Sequence, residues 1–179
     1  MKNKPFLFAL IYAALYIAAT LYFYLTQNFK QFNLMYVVAM AAIMPLSVLS
    51  IKVQKDTVYG GIISGRNAAK EGMKAALYAA IILIMFQAAF YFSGWKEFKT
   101  DSIPSALTEQ YNKLVSLGKL KPDPKRLQDA ITMEINSVTL FKEISTLFFR
   151  TMIAGFFSSF LAALFMKTTP GFLPNRRQA

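Results

Sequence analysis

Four stretches of the chain are almost free of charge, and shorter polar segments separate them. They are 5–25 (PFLFALIYAALYIAATLYFYL), 34–51 (LMYVVAMAAIMPLSVLSI), 75–92 (AALYAAIILIMFQAAFYF) and 147–166 (LFFRTMIAGFFSSFLAALFM). The first, as a helix, is about 31 Å long, enough for a hydrocarbon core of about 30 Å. A soluble protein can bury one such helix, but four of at least about 18 residues leave no polar chain to enclose them. The pattern therefore predicts an all-α integral membrane protein with four transmembrane helices, a single membrane domain over 1–179. The segment 93–146 is predicted as an extracytoplasmic helical hairpin between spans three and four. The first run follows Lys2 and Lys4, as a signal peptide would, yet it is longer than a signal core and ends in bulky Tyr22, Phe23 and Tyr24, so it is read as a retained span.

Polar interruptions refine each span. Pro45 falls inside the second run and is expected to kink it, with neighbouring helices or Ser47 and Ser50 satisfying the freed carbonyl. Gln87 is the strongly polar member of the third run, where an interhelical hydrogen bond accounts for it. Arg150 lies about four residues inside the fourth, shallow enough to reach the outer interface. Small residues form packing faces: Ala75, Ala76, Ala79 and Ala80 on the third span, and Gly155, Ser158, Ser159, Ala162 and Ala163 on the fourth.

Charge orients the whole. The loop 52–74 holds Lys52, Lys55, Arg66, Lys70 and Lys74 against Asp56 and Glu71, and short basic loops stay in the cytoplasm. Lys2, Lys4, Lys167, Arg176 and Arg177 then fall on the same side, the first outer loop holds only Lys30, and 93–146 is nearly balanced, with eight basic residues and seven acids. Both termini are predicted to be cytoplasmic, in the inner membrane of a bacterium. Arg66, Lys70 and Lys74 recur every fourth residue and form one face for anionic headgroups, at about 1 kcal/mol per basic residue. Gly60, Gly61, Gly65 and Gly72 are expected to let this loop turn along the surface. Trp95 is read as an outer-interface aromatic.

In the outer segment, Pro104 marks a helix start and Gly118 a stop, while Asp123-Pro124 caps and begins a second helix. Neither glycine nor proline occurs between Lys125 and Ala154, so that helix is predicted to run unbroken into the fourth span. Leu107, Tyr111 and Leu114 on the first helix, and Leu127, Ile131, Ile135 and Val138 on the second, form apolar faces that need a partner.

Composition narrows the chemistry. The net charge of +11 invites a nucleic-acid reading, but the cations lie between apolar runs rather than on one folded face, and no nucleic-acid partner is expected. Charged residues make up 16% of the chain against about 25% in soluble domains, which leaves too few for a water-exposed surface. With no cysteine and no histidine, thiolate chemistry and the commonest metal ligands are missing. Glu109, Asp129, Glu134 and Glu143 are spread among lysines and read as a solvated face. No catalytic residue, metal site or cofactor is assigned.

The basic entry to the third span, YGGIISGRNAAKEGMKAAL, the outer stretch IPSALTEQYNKLVSLGKLKPDPKRLQDA and the last span ending in Met166-Lys167 resemble the domain-of-unknown-function family 4199. That resemblance implies a small four-span bacterial inner-membrane protein and carries over no functional residues. The leading expectation is a non-catalytic accessory or scaffold subunit whose partners are membrane lipids and other membrane or periplasmic protein subunits. A small oligomeric transporter or channel using Gln87 and Pro45 is the alternative. A membrane enzyme on lipid or envelope substrates, with Glu134 or Glu143 as base, comes third.

Overall fold

A computed structural model describes residues 4–166; the side chains of 29–36, 39, 40 and 166 lie outside that description. So do Lys2, Lys167, Arg176 and Arg177, the side chain of Lys30 and part of the second apolar run, on which the orientation reading also drew. Among the described residues every regular element is helical: α1 (Lys4–Leu25), α2 (Phe29–Thr57), α3 (Gly65–Phe90), a π turn (Tyr91–Trp95), α4 (Lys96–Ser116), α5 (Pro124–Ser137) and α6 (Leu140–Met166). Three of the described helical stretches are long and apolar enough to cross a membrane; they hold the first, third and fourth apolar runs. The second run lies in α2.

α1 shows how the bundle forms. Ala9, Tyr12, Ala13, Tyr16 and Thr20 recur at three- and four-residue spacing and are buried, while Leu7, Leu10, Leu15 and Leu21 face outward. α6 does the same, leaving Phe156, Phe157, Phe160, Leu161, Leu164 and Phe165 exposed. In water this would be a very large apolar surface, whereas lipid covers it at no cost. The chain therefore has the surface of a membrane protein. α3 sits at the centre, against α1, α2 and α6.

The α3–α6 contact is built on the small residues of both helices. A Cβ placed on Gly155 would lie 2.2 Å from the Ala76 Cβ, and one on Gly72 would lie 2.3 Å from the Ser159 Oγ. The backbones approach so closely because these positions carry almost nothing, as in small-residue membrane packing. At the end where α3 meets α4, Tyr24, Phe90, Trp95 and Phe98 form an aromatic cluster with ring centroids 5.1–5.5 Å apart.

Several expectations change. The loop 52–74 is mostly helix: α2 runs to Thr57 and α3 starts at Gly65, with Gly60 (φ 64°) and Gly61 (φ 88°) making the turn between. Gly65 and Gly72 are helical, and Gly72 serves packing rather than turning. Pro45 lies within α2, but the buried hydroxyls of Ser47 and Ser50 have no hydrogen-bond partner, so neither satisfies the carbonyl it frees. Pro104 is inside α4, eight residues after its start at Lys96. The helix is already under way there because α3 passes into α4 through the π turn, where Gly94 has φ 125°. Gly118 does end that region, with φ 68°.

The unbroken helix from Pro124 to Met166 is also wrong. It breaks at Val138 and Thr139. Thr139 restarts the chain as α6: its Oγ1 accepts from the Lys142 amide at 3.2 Å, a helix-capping bond. The carbonyl released at Val138 accepts from the Tyr91 hydroxyl at 3.0 Å. A break without glycine or proline is thus stabilised from both sides.

Candidate functional site

Two buried carboxylates mark the polar ends of the bundle. At the end nearest α4 and α5, Glu143, in the first turn of α6, is 7% exposed. Its Oε2 accepts from the Trp95 indole N–H at 3.2 Å, and its Oε1 accepts from the Lys99 ammonium. The π turn makes this possible, because it places Trp95 inward at the start of α4 and Lys99 one turn later. A carboxylate near a helix amino terminus is also favoured by the helix dipole. Together with the Tyr91–Val138 bond, this cluster fastens the hairpin α4–α5 to the bundle.

At the other end Glu71 is 5% exposed. Its Oε1 accepts from Lys74 Nζ at 2.7 Å and from the Tyr59 hydroxyl at 3.3 Å. The bond to Glu71 raises the Lys74 pKa above its ordinary value. Desolvation, and then the Glu71 charge, raise the Tyr59 phenol. Gln54 and Lys55 are buried on the same end of α2. Ser64 caps α3, its Oγ accepting from the Asn67 amide at 3.3 Å.

The expected site residues divide among these regions. Arg66 and Lys70 are exposed on the first turns of α3, but Lys74 is half-buried and committed to Glu71. Arg150 is exposed. Trp95 does not face lipid: it is fully buried among Phe90, Phe98 and Glu143. Gln87 is buried, yet its amide nitrogen has no partner, so the expected interhelical bond from that group does not form. Leu107, Tyr111, Leu114 and Leu127 come together along one cleft. Ile131 and Ile135 are half-buried, with Ile135 packed on the main core. Val138 is buried at 4% exposure and belongs to the core, not to a partner-facing surface.

Glu143, Lys99, Tyr91, Glu71 and Tyr59 were not singled out as an organised set by the sequence. Lys74 three residues after Glu71 is a readable helical pair. The Glu143 cluster has no such signal, because its members are 44 to 48 residues apart.

An all-helical chain with membrane-crossing helices, an interlocked small-residue seam and carboxylates tied to lysines at both ends is a helical membrane bundle. The family comparison agrees: the model for a protein of unknown function (DUF4199) matches residues 7–168, and the chain belongs to that family. No curated protein matches it, and no solved structure does.

Proposed function

We propose that the chain is a non-catalytic accessory or scaffold subunit of a larger assembly in a bacterial inner membrane. It crosses four times, with α2 as the further span, keeps both termini in the cytoplasm and presents α4–α5 as an extracytoplasmic hairpin. The observation that carries this reading is the outward side of the hairpin: the stripe Leu127, Ile131 and Ile135 is only half-buried, no residue of α5 is fully buried, and large apolar side chains stay exposed. Met133 is 76% exposed and Leu117 57%. A surface of this kind, on a hairpin fastened by Glu143, is suited to an interface with another subunit. Arg66 and Lys70, with the interface residue Arg150, support lipid-headgroup contacts at the two membrane surfaces.

The test is site-specific photo-crosslinking in cells, with the reactive residue at Met133 or Leu117. A discrete heavier adduct common to both positions and absent at lipid-facing Phe157 is expected. Only uncrosslinked chain, or a homodimer alone, would overturn the scaffold reading. Because the sequence lacks cysteine, single cysteines at Lys70 and Met133 report topology directly; an impermeant reagent should label only Met133 in intact spheroplasts. The transport reading has one observation in its favour, the unpartnered Gln87 amide. It requires Gln87→Leu to reduce flux in liposomes.

A further inference from the structure

The hairpin holds a cleft of about 210 Å³ between α4 and α5. Leu107, Leu114, Leu127 and Ala130 form its walls, Leu120 closes it at the turn, and Tyr111 and Arg126 bring its strongest polar donors. Its volume holds about seven methylene-sized groups, so it takes the carboxyl-proximal part of one hydrocarbon chain, with the remainder running out of the open cleft, and not two chains side by side. An apolar slot with a single guanidinium is chemically asymmetric: it matches a ligand with one hydrocarbon chain and one planar anion.

The polar end is available. Among the described residues no carboxylate forms an ion pair with Arg126. Two acids lie three residues away in sequence: Asp123 caps α5 by accepting from the Arg126 backbone N–H at 3.1 Å, and Asp129, one turn on, is not ion-paired with the guanidinium. The Tyr111 hydroxyl accepts from the Asp123 amide, which leaves its own proton to donate. Lys119, Lys121 and Lys125 flank the same turn and make its field positive. A guanidinium pairs with a carboxylate through two parallel bonds, one cation to one monoanion.

We propose that this cleft binds a free fatty acid, its carboxylate on the Arg126 guanidinium and Tyr111 hydroxyl and its chain between Leu107, Leu114, Leu127 and Ala130. The membrane surface supplies the ligand. This goes beyond the scaffold reading and does not depend on it.

The test uses the full chain in nanodiscs and a palmitate analogue carrying a diazirine within about the first seven carbons from its carboxylate, the part the cleft can hold, with adducts mapped by mass spectrometry. Labelling is expected on peptides spanning 107–130. Losing a charge-assisted bond or filling the slot should lower it about tenfold, in Arg126→Gln and in Ala130→Phe respectively. Lys142→Gln, whose side chain is exposed away from the cleft, should leave labelling unchanged, and unaltered Trp95 emission checks that each variant is folded. Adducts confined to lipid-facing α6 positions such as Phe157, or cleft labelling that survives both substitutions, would overturn the proposal. So would equal labelling by the matching fatty alcohol, which lacks the anion, or by an alkyl phosphate, which carries a different one.

Discussion

Gly155→Ala tests the closest contact in the bundle. The added Cβ would sit 2.2 Å from the Ala76 Cβ, whereas carbons rest about 3.5–4.0 Å apart. Neither atom is at the end of a flexible side chain, so α3 and α6 must separate by more than about 1 Å. Overpacking of this kind costs about 1–3 kcal/mol, and the size of the overlap puts it at the upper end. Replacing a helical glycine by alanine returns about 1 kcal/mol. The net loss is then about 2 kcal/mol. On soluble-domain scaling that lowers Tm by about 4–8 °C.

The same geometry provides a rescue. Once the Ala76 side chain is removed, the nearest atoms to the new Cβ are the Ala76 Cα at 3.6 Å and Ile43 Cδ1 at 3.9 Å, both ordinary contacts. Ala76→Gly alone loses a methyl contact and helix propensity, about 1–2 kcal/mol together. In Ala76→Gly/Gly155→Ala the propensity terms cancel and one methyl again fills the seam. The double variant should therefore be within about 1 kcal/mol of wild type, with a coupling of about 3 kcal/mol. Emission from Trp95, the single tryptophan and fully buried, follows thermal unfolding in mild detergent. A Gly155→Ala protein as stable as wild type, or a double variant no better than the sum of the singles, would refute the interlocked seam.

Three other outcomes follow from the clusters at the ends. Glu143→Leu leaves the Trp95 N–H and the half-buried Lys99 without their acceptor and should cost about 1–3 kcal/mol, with a shifted Trp95 emission maximum. Gly94→Ala forces an L-residue to φ 125° and brings its Cβ to 2.4 Å from the Tyr24 hydroxyl oxygen, so stability should fall by about 1–3 kcal/mol in a denaturant titration. At the opposite end Lys74 has a folded pKa above 10.5 and Tyr59 one above 10.0. Both hold their proton more tightly in the folded chain, so their contribution is intact below about pH 10 and is lost as pH rises through the raised values. Stability in a denaturant titration should fall as pH rises above about 10 in wild type, and Glu71→Gln should remove the Lys74 part of that dependence while leaving the part that comes from burial of Tyr59.

The sequence made some of this legible and hid the rest for physical reasons. The small-residue faces of α3 and α6 are readable because helical spacing alone sets them on one side, and Ala76 and Gly155 meet as that spacing requires. Gly72, expected in a turn, instead joins the seam against Ser159 because α3 begins earlier, at Gly65. The Asp123-Pro124 start of α5 was readable because its cap is local. Pro104 misled because a proline favoured in a first turn is also tolerated inside a helix that began earlier. The break at Val138 is not visible locally: it depends on a hydroxyl from Tyr91, 47 residues away. Trp95 was placed by its chemistry at an interface, but the partner that turns it inward, Glu143, is equally distant. The Leu107–Tyr111–Leu114 face was anticipated, whereas the volume it encloses with Leu127 appears only when two helices are set side by side.

The π turn at Tyr91–Trp95 has a consequence for insertions and deletions. Gly94, at φ 125°, interrupts the helix there, so this one junction sets the direction in which α4 leaves α3. An indel at Ser93 or Gly94 would redirect the hairpin while sparing the seam at Gly72 and Ala76, more than ten residues upstream. A single-codon change there alters the direction of α4 and α5 while the α3–α6 seam keeps its contacts.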